Sequence, residues 1–216
     1  MAMLWGCILW VFCSATVATL PLRLQYWPGA ILLGIAPVLI VMIGIQVGWI
    51  FALPALAALP KDGTVFLSVA AGVSIAGYEA ALGKGACIVR AMPNTPAAVG
   101  KGITAIVGNA VATGKDLDLA EALLRAVGQV VRLEDEAQMD AVTGVSGSGP
   151  AYVFYMIDAL AEAGVAQGLP AYLAMHLAKA TVAGAGALAE SASETPEQLR
   201  INVTSPNGTT QAGLEV

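Results

Sequence analysis

The stretch Ser146-Gly147-Ser148-Gly149-Pro150-Ala151-Tyr152 decides how the chain is divided. Its first five residues hold two hydroxyls, two glycines and a proline. Glycine lets backbone approach a ligand closely, and proline in a first helical turn gives up no N–H that the helix needs. Amides at the start of the following helix would face an anion, aided by the helix dipole. The residues alone admit two readings, an anion-holding turn for a carboxylate or phosphate and a flexible loop between helices. Spacing does not choose between them.

On either side of this stretch the pattern differs. Upstream, apolar runs with strand character alternate with short helical patterns. Thr64 to Val69 reads as a buried strand. It empties into Ala70-Ala71-Gly72, and Ser74 is an N-cap for a helix to about Leu82. Gly83-Lys84-Gly85 turns the chain into a second strand, Cys87 to Met92. Strand, helix and strand with short connections make a βαβ unit and imply a parallel sheet. Ligands in such sheets sit beyond the carboxyl ends of the strands, so Ala70 to Gly72 and Pro93-Asn94-Thr95-Pro96 are candidate binding turns. Ordinary turn chemistry is the other reading of both.

Lys101 to Val111 is expected to be extended, Asp116 to Val127 helical and Gln129 to Leu133 a strand. Glu134-Asp135-Glu136 opens a helix to about Val142. As a solvated start that compensates the helix dipole, this acidic cluster needs no cation. Downstream everything is helical: Tyr152 to Ala166 with an apolar stripe, Ala171 to about Ala189, and a short helix opened by Thr195-Pro196-Glu197-Gln198. A second hydroxyl-rich turn follows, Val203 to Thr210. The expected architecture is an α/β sheet domain over residues 1–137, with 1–50 atypical, and an all-helical domain over 138–216.

Charge is distributed unevenly. The chain carries a net charge of −5, and without a basic patch no nucleic-acid partner is expected. Arg23 is the sole charged residue before Lys61. Met1 to Leu20 and Gly29 to Leu59 each have the length and polarity to span a bilayer. No basic residue precedes the first run, as a secretory signal would require. Pro37 and Pro54 interrupt the second, so a buried or altered apolar segment is preferred to a membrane anchor. Cys7, Cys13 and Cys87 lack ligand-like spacing, so neither a disulfide framework nor a zinc site is expected. His176 lies within a helical pattern and reads as structural.

Four stretches together carry a resemblance. Ser68-Val69-Ala70-Ala71-Gly72-Val73, Val89 to Pro96, Ser146 to Tyr152 and Thr204 to Thr210 resemble pyrroline-5-carboxylate reductase, in that family's order. The likeness covers about residues 51–214, including Leu199-Arg200. It implies a Rossmann-like NADP (or NAD) domain followed by a helical dimerisation domain, in a cytoplasmic homodimer or higher homo-oligomer. The reaction implied is reduction of the C=N bond of 1-pyrroline-5-carboxylate to L-proline, the last step of proline biosynthesis. By the same likeness Ala70, Ala71, Gly72, Met92, Pro93, Asn94 and Thr95 line the cofactor. Ser146, Gly147, Ser148, Gly149, Pro150, Ala151, Thr204, Ser205, Gly208, Thr209 and Thr210 build the substrate pocket. No residue is assigned as acid or base, because a protonated imine is already electrophilic and needs mainly orientation.

The chain departs from that pattern in four places. Residues 1–28 lack the family's Gly-rich phosphate turn. Ala36, before Pro37, stands where the family has lysine. The closing helices expected after Thr210 are missing, so the C-terminus is expected to be truncated. Asn207 replaces a glycine, a mild change because asparagine tolerates positive φ. Loss of the phosphate cradle is expected to weaken cofactor binding severely. An out-of-frame leader is the preferred account of residues 1–50. The alternatives are an inactive remnant that only dimerises and a membrane-tethered protein through residues 1–59.

Overall fold

The computed structural model describes Ala57, Leu59 and residues 61–215. The two uncharged runs and most of the helix expected over Phe51 to Leu59 lie outside the described residues. Among the described residues no helix is long and apolar enough to cross a membrane. The chain divides between Pro150 and Ala151 into two compact units.

The first unit is built on a four-stranded sheet, β1 (Val65–Ser68), β2 (Cys87–Met92), β3 (Gly102–Gly108) and β4 (Gly128–Arg132), in that spatial order. Helix α1 (Ile75–Leu82) connects β1 to β2, and α2 (Gly114–Leu124) connects β3 to β4. Each crossover leaves its strand pair parallel. The β2–β3 pair is antiparallel, with Ala91 opposite Ile106, so the parallel pairing implied by the βαβ unit holds for β1–β2 while the sheet as a whole is mixed. Only residues 93–101, partly a 3-10 turn over Thr95–Val99, join these strands. A parallel return needs a crossover of a dozen or more residues, so this short link must bring the chain straight back.

Strand alternation sorts the core into two layers. Phe66, Ile88 and Val107 pack with Ile75, Tyr78 and Leu82 of α1 and with Met139 on one face. Val65, Leu67, Val89, Ala91 and Ile106 pack with Ala120 and Leu124 of α2 on the other. Helix starts follow local chemistry. Ser74 caps α1 by accepting from the Gly77 N–H at 3.2 Å, and Thr113 with Asp116 forms a capping box on α2. Gly128 has φ 146°, and a Cβ there would lie 2.0 Å from the Gly102 carbonyl oxygen. The close start of the β3–β4 pair therefore requires glycine.

After β4 the chain passes a 3-10 turn (Glu136–Gln138), the short helix α3 (Met139–Val142) and one π-type turn (Thr143–Gly147). It then bends at Ser148 into α4 (Gly149–Ala166). The opening stretch is thus a kinked helical joint and not the turn between separate helices that its glycines suggested. The second unit continues with α5 (Ala171–Ser191), α6 (Pro196–Asn202) and α7 (Thr209–Leu214). Thr195 caps α6 by accepting from the Gln198 N–H at 3.2 Å.

Candidate functional site

The site begins where β1 ends. Ser68 Oγ accepts from the Ala70 N–H at 3.2 Å and also hydrogen-bonds the Tyr78 hydroxyl. This holds the first residue of the Ala70-Ala71-Gly72 turn to the sheet. Burial raises the Tyr78 pKa above its ordinary value, although Ser68 and the nearby Arg90 charge oppose the shift. Arg90 stands beside Ser68 in the parallel register. Its Nη2 donates to the Ala71 carbonyl at 2.8 Å, and its Nη1 meets Glu136 Oε1 at 2.7 Å. The same Glu136 oxygen accepts the Ile75 N–H at 2.8 Å, at the start of α1. A carboxylate therefore sits on the positive end of a helix and on a guanidinium together.

That arrangement corrects the reading of Glu136 as part of a solvated helix start. Its side chain is 27% exposed against 9% for Arg90. Neither residue carries a sequence-based role. A signal for both was present: a single arginine inside the apolar strand Cys87–Met92 must find a partner if the strand is buried. A cleft of about 480 Å³ opens beside the pair, lined by Ala71, Gly72, Ser74, Arg90, Glu136 and Asp140 among others.

The end of β2 carries the second candidate turn. Met92 is buried, Pro93 and Asn94 are half-buried, and Thr95 is exposed. Asn94 Oδ1 accepts from the Ile103 N–H at 3.0 Å, and its Nδ2 donates to the Ser146 carbonyl at 3.2 Å. The structure thus joins the expected cofactor turn to the expected substrate stretch. Gly147 lies against Met92, where an added Cβ would stand 3.0 Å from Met92 Cε. Within the joint, the Ser148 N–H donates to the Thr143 carbonyl at 2.8 Å and is committed there. Ser146 through Pro150 are all half-buried.

In the second unit the hydroxyl-rich turn links α6 to α7. Thr204 Oγ1 donates to the Arg200 carbonyl at 2.6 Å, and the Gly208 N–H donates to the Ser205 carbonyl at 3.0 Å. Asn207 adopts φ 59°, the left-handed conformation that excuses its replacement of glycine. Thr209 and Thr210 begin α7 and are exposed.

Two further titratable groups are explained by packing. Burial, with the Asp116 carboxylate second, pushes the Cys87 thiol up to about 12. Hydrogen bonds from Thr113 hold Asp116 below the usual carboxylate range. Among the described residues no group of three or more His, Cys, Asp or Glu could hold a metal ion.

A family profile for pyrroline-5-carboxylate reductase dimerisation matches residues 136–216. A pyrroline-5-carboxylate reductase of Synechocystis is 50% identical over 150 residues, covering 69% of this chain and 55% of that protein. One from Pseudomonas aeruginosa is 45% identical over 161 residues, covering 74% and 59%. The chain belongs to the pyrroline-5-carboxylate reductase family. It spans less than two thirds of the length of these two reductases. A solved pyrroline-5-carboxylate reductase from Coxiella burnetii superposes with a TM-score of 0.72 at 37% identity, covering 82% of this chain and 66% of that one. A Plasmodium falciparum pyrroline carboxylate reductase, solved with NADP bound, superposes at 0.71 with 29% identity over 81% and 70%. The sheet of the first unit accordingly corresponds to the Rossmann-like part of these solved reductases, and residues 136–216 match the family's dimerisation region.

The residues present fit one end of a dinucleotide. Ala70 to Gly72 and Met92 to Thr95 terminate adjacent parallel strands, and a Cβ on Gly72 would meet nothing within 4 Å. Backbone there is open to a flat ring or a ribose. A glycine-rich phosphate turn is not found among the described residues.

Proposed function

We propose that the chain carries the substrate-side half of an NAD(P)H-dependent pyrroline-5-carboxylate reductase, reducing 1-pyrroline-5-carboxylate to L-proline. The observation that carries this reading is the junction of the Met92–Thr95 turn with Ser146 and Gly147, in a chain 50% identical to a reductase over 150 residues. Bound NADPH would supply the hydride that reduces the C=N bond. Ala70, Ala71 and Gly72 at the end of β1, with Met92 to Thr95 at the end of β2, would hold its ribose and nicotinamide.

Ser146 to Ala151 and Thr204 to Thr210 would hold the substrate carboxylate. Their differing commitments sort them. Ser148 offers a hydroxyl but no free amide, Pro150 offers no N–H, and the Thr204 hydroxyl is committed to Arg200. Thr209 and Thr210, exposed at a helix start, remain open to an anion. No residue is assigned as acid or base, because the substrate is already electrophilic when protonated. Orientation is then the protein's main contribution.

The helical region would serve as the dimer interface of a cytoplasmic homo-oligomer. Tyr155 and Tyr172 are 77% and 78% exposed in the single chain, and Phe154, Ile201 and Val203 are exposed too. Apolar surface on this scale calls for a partner surface. The domain boundary is proposed at residues 137 and 138, just inside the matched dimerisation region.

Incubation of the purified chain with NADPH and 1-pyrroline-5-carboxylate, followed at 340 nm, tests the activity. Substrate-dependent NADPH oxidation is expected, with a KM for NADPH raised by the missing phosphate turn. Absence of turnover together with absence of L-proline binding would reduce the chain to a dimerising relative.

A further inference from the structure

The joint between α3 and α4 contains a defect that the sequence itself creates. In a continuous helix the Ser146 carbonyl would accept from the N–H four residues on. That residue is Pro150, which has no N–H and whose ring crowds the same carbonyl. The chain answers with the π-type turn over Thr143–Gly147, in which the Ser148 N–H reaches back to the Thr143 carbonyl. The displaced Ser146 carbonyl receives the Nδ2 of Asn94, which is 52 residues away in the chain, at 3.2 Å. The other end of the same amide accepts the Ile103 N–H at 3.0 Å, at the start of β3. Beside this bond, a Cβ added at Gly147 would stand 3.0 Å from the Met92 methyl, which would have to give by a few tenths of an ångström.

We infer that Asn94 is a positioning residue whose side chain replaces the donor missing at Pro150 and so locks the Ser146–Gly149 joint against the end of β2. The inference rests on the functional reading above, in which β2 ends on the nicotinamide and the joint holds the substrate carboxylate. Asn94 sets the separation of the two through Ser146, and its side-chain amide is engaged by the protein at both ends. Aspartate cannot substitute, because a carboxylate accepts from Ile103 and repels the Ser146 oxygen. Alanine removes both bonds.

Two variants of the full chain test this, Asn94→Ala and the double variant N94A/P150A. The second restores a backbone N–H at residue 150, four residues beyond Ser146. Hydrogen exchange is read over residues 143–149, together with kcat, the Kd for NADPH and the Kd for L-proline. For Asn94→Ala, exchange across the joint is expected to quicken about tenfold, the cost of one hydrogen bond. The value of kcat, read at saturating NADPH so that any change in cofactor affinity does not enter it, is expected to fall about a hundredfold, the effect of a misplacement near 1 Å. The double variant is expected to regain most of the exchange protection and part of kcat, a non-additivity that a bystander residue would not show.

Unchanged exchange over 143–149 in Asn94→Ala would overturn the lock. Quickened exchange with unaltered kcat and L-proline affinity would overturn the positioning role and leave a structural bond. A wild-type chain that neither turns over nor binds L-proline would instead overturn the functional reading and the positioning role with it, while exchange would still decide whether the lock exists.

Discussion

The two units of this chain solve burial differently. In the sheet unit, Phe66, Tyr78, Leu82, Ile88 and Ile106 are almost wholly removed from water by residues of the same unit. In the helical unit the buried apolar residues are Ala161, Ala174 and Ala178, while Tyr155, Tyr172 and Val203 stand exposed. A sheet with a helix layer on each face closes its own core. Helices whose small residues are buried and whose large ones are exposed do not. The contrast teaches that one unit closes its core within the chain, while the other leaves large apolar side chains exposed for the association proposed above.

The largest effect expected from breaking this contrast lies in the sheet. Ile88→Ala removes a fully buried side chain from the α1 face. It is expected to cost about 3 kcal/mol, read as a lower urea midpoint that does not depend on protein concentration. In the helical unit the paired change Tyr155→Ser with Tyr172→Ser should behave in the opposite way. Sedimentation velocity is expected to show association weakened by about tenfold or more, with little change in the unfolding of the dilute chain. An equal loss of stability at high dilution would show that the helices are self-sufficient and would end the comparison.

The smallest effect sharpens the picture of the sheet unit. With Cys7 and Cys13 replaced by serine, the Cys87 thiol is expected to react slowly with a disulfide reagent at pH 8. Its pKa of about 12 means that thiol, not thiolate, predominates below that pH. Labelling should therefore accelerate as pH rises toward 12, and unfolding in urea should speed it at least about a hundredfold at pH 8. Rapid labelling of the folded chain at pH 8 would show that the α2 face of the sheet is open to solvent.

Local chemistry was the part most legible from residues alone. Ser74 and Thr195 mark helix starts because a side-chain oxygen can reach an orphan amide two or three residues on. The strands over Val65–Ser68 and Cys87–Met92 follow from dense apolar runs between turn residues. The order of four motifs carried the family, because each motif is a short contiguous piece of backbone chemistry. The site was legible as separate stretches, Ala70 to Gly72, Met92 to Thr95, Ser146 to Ala151 and Thr204 to Thr210, but not as a geometry.

What tertiary structure alone decided involves residues far apart in the chain. The antiparallel return of β3 depends on how residues 93–101 close, not on the composition of either strand. Glu136 reads locally as a solvated acidic start, yet it meets Arg90 across 46 residues because both converge on the start of α1. The opening stretch shows the division most clearly. Its proline dictates that a helix cannot pass through residues 146–150 with every carbonyl satisfied, which follows from covalent structure alone. That the vacant carbonyl is met by Asn94 was settled only when β2 and the joint packed together. Hydrogen-bond demand is written into each residue, but the partner that satisfies it is chosen by the fold.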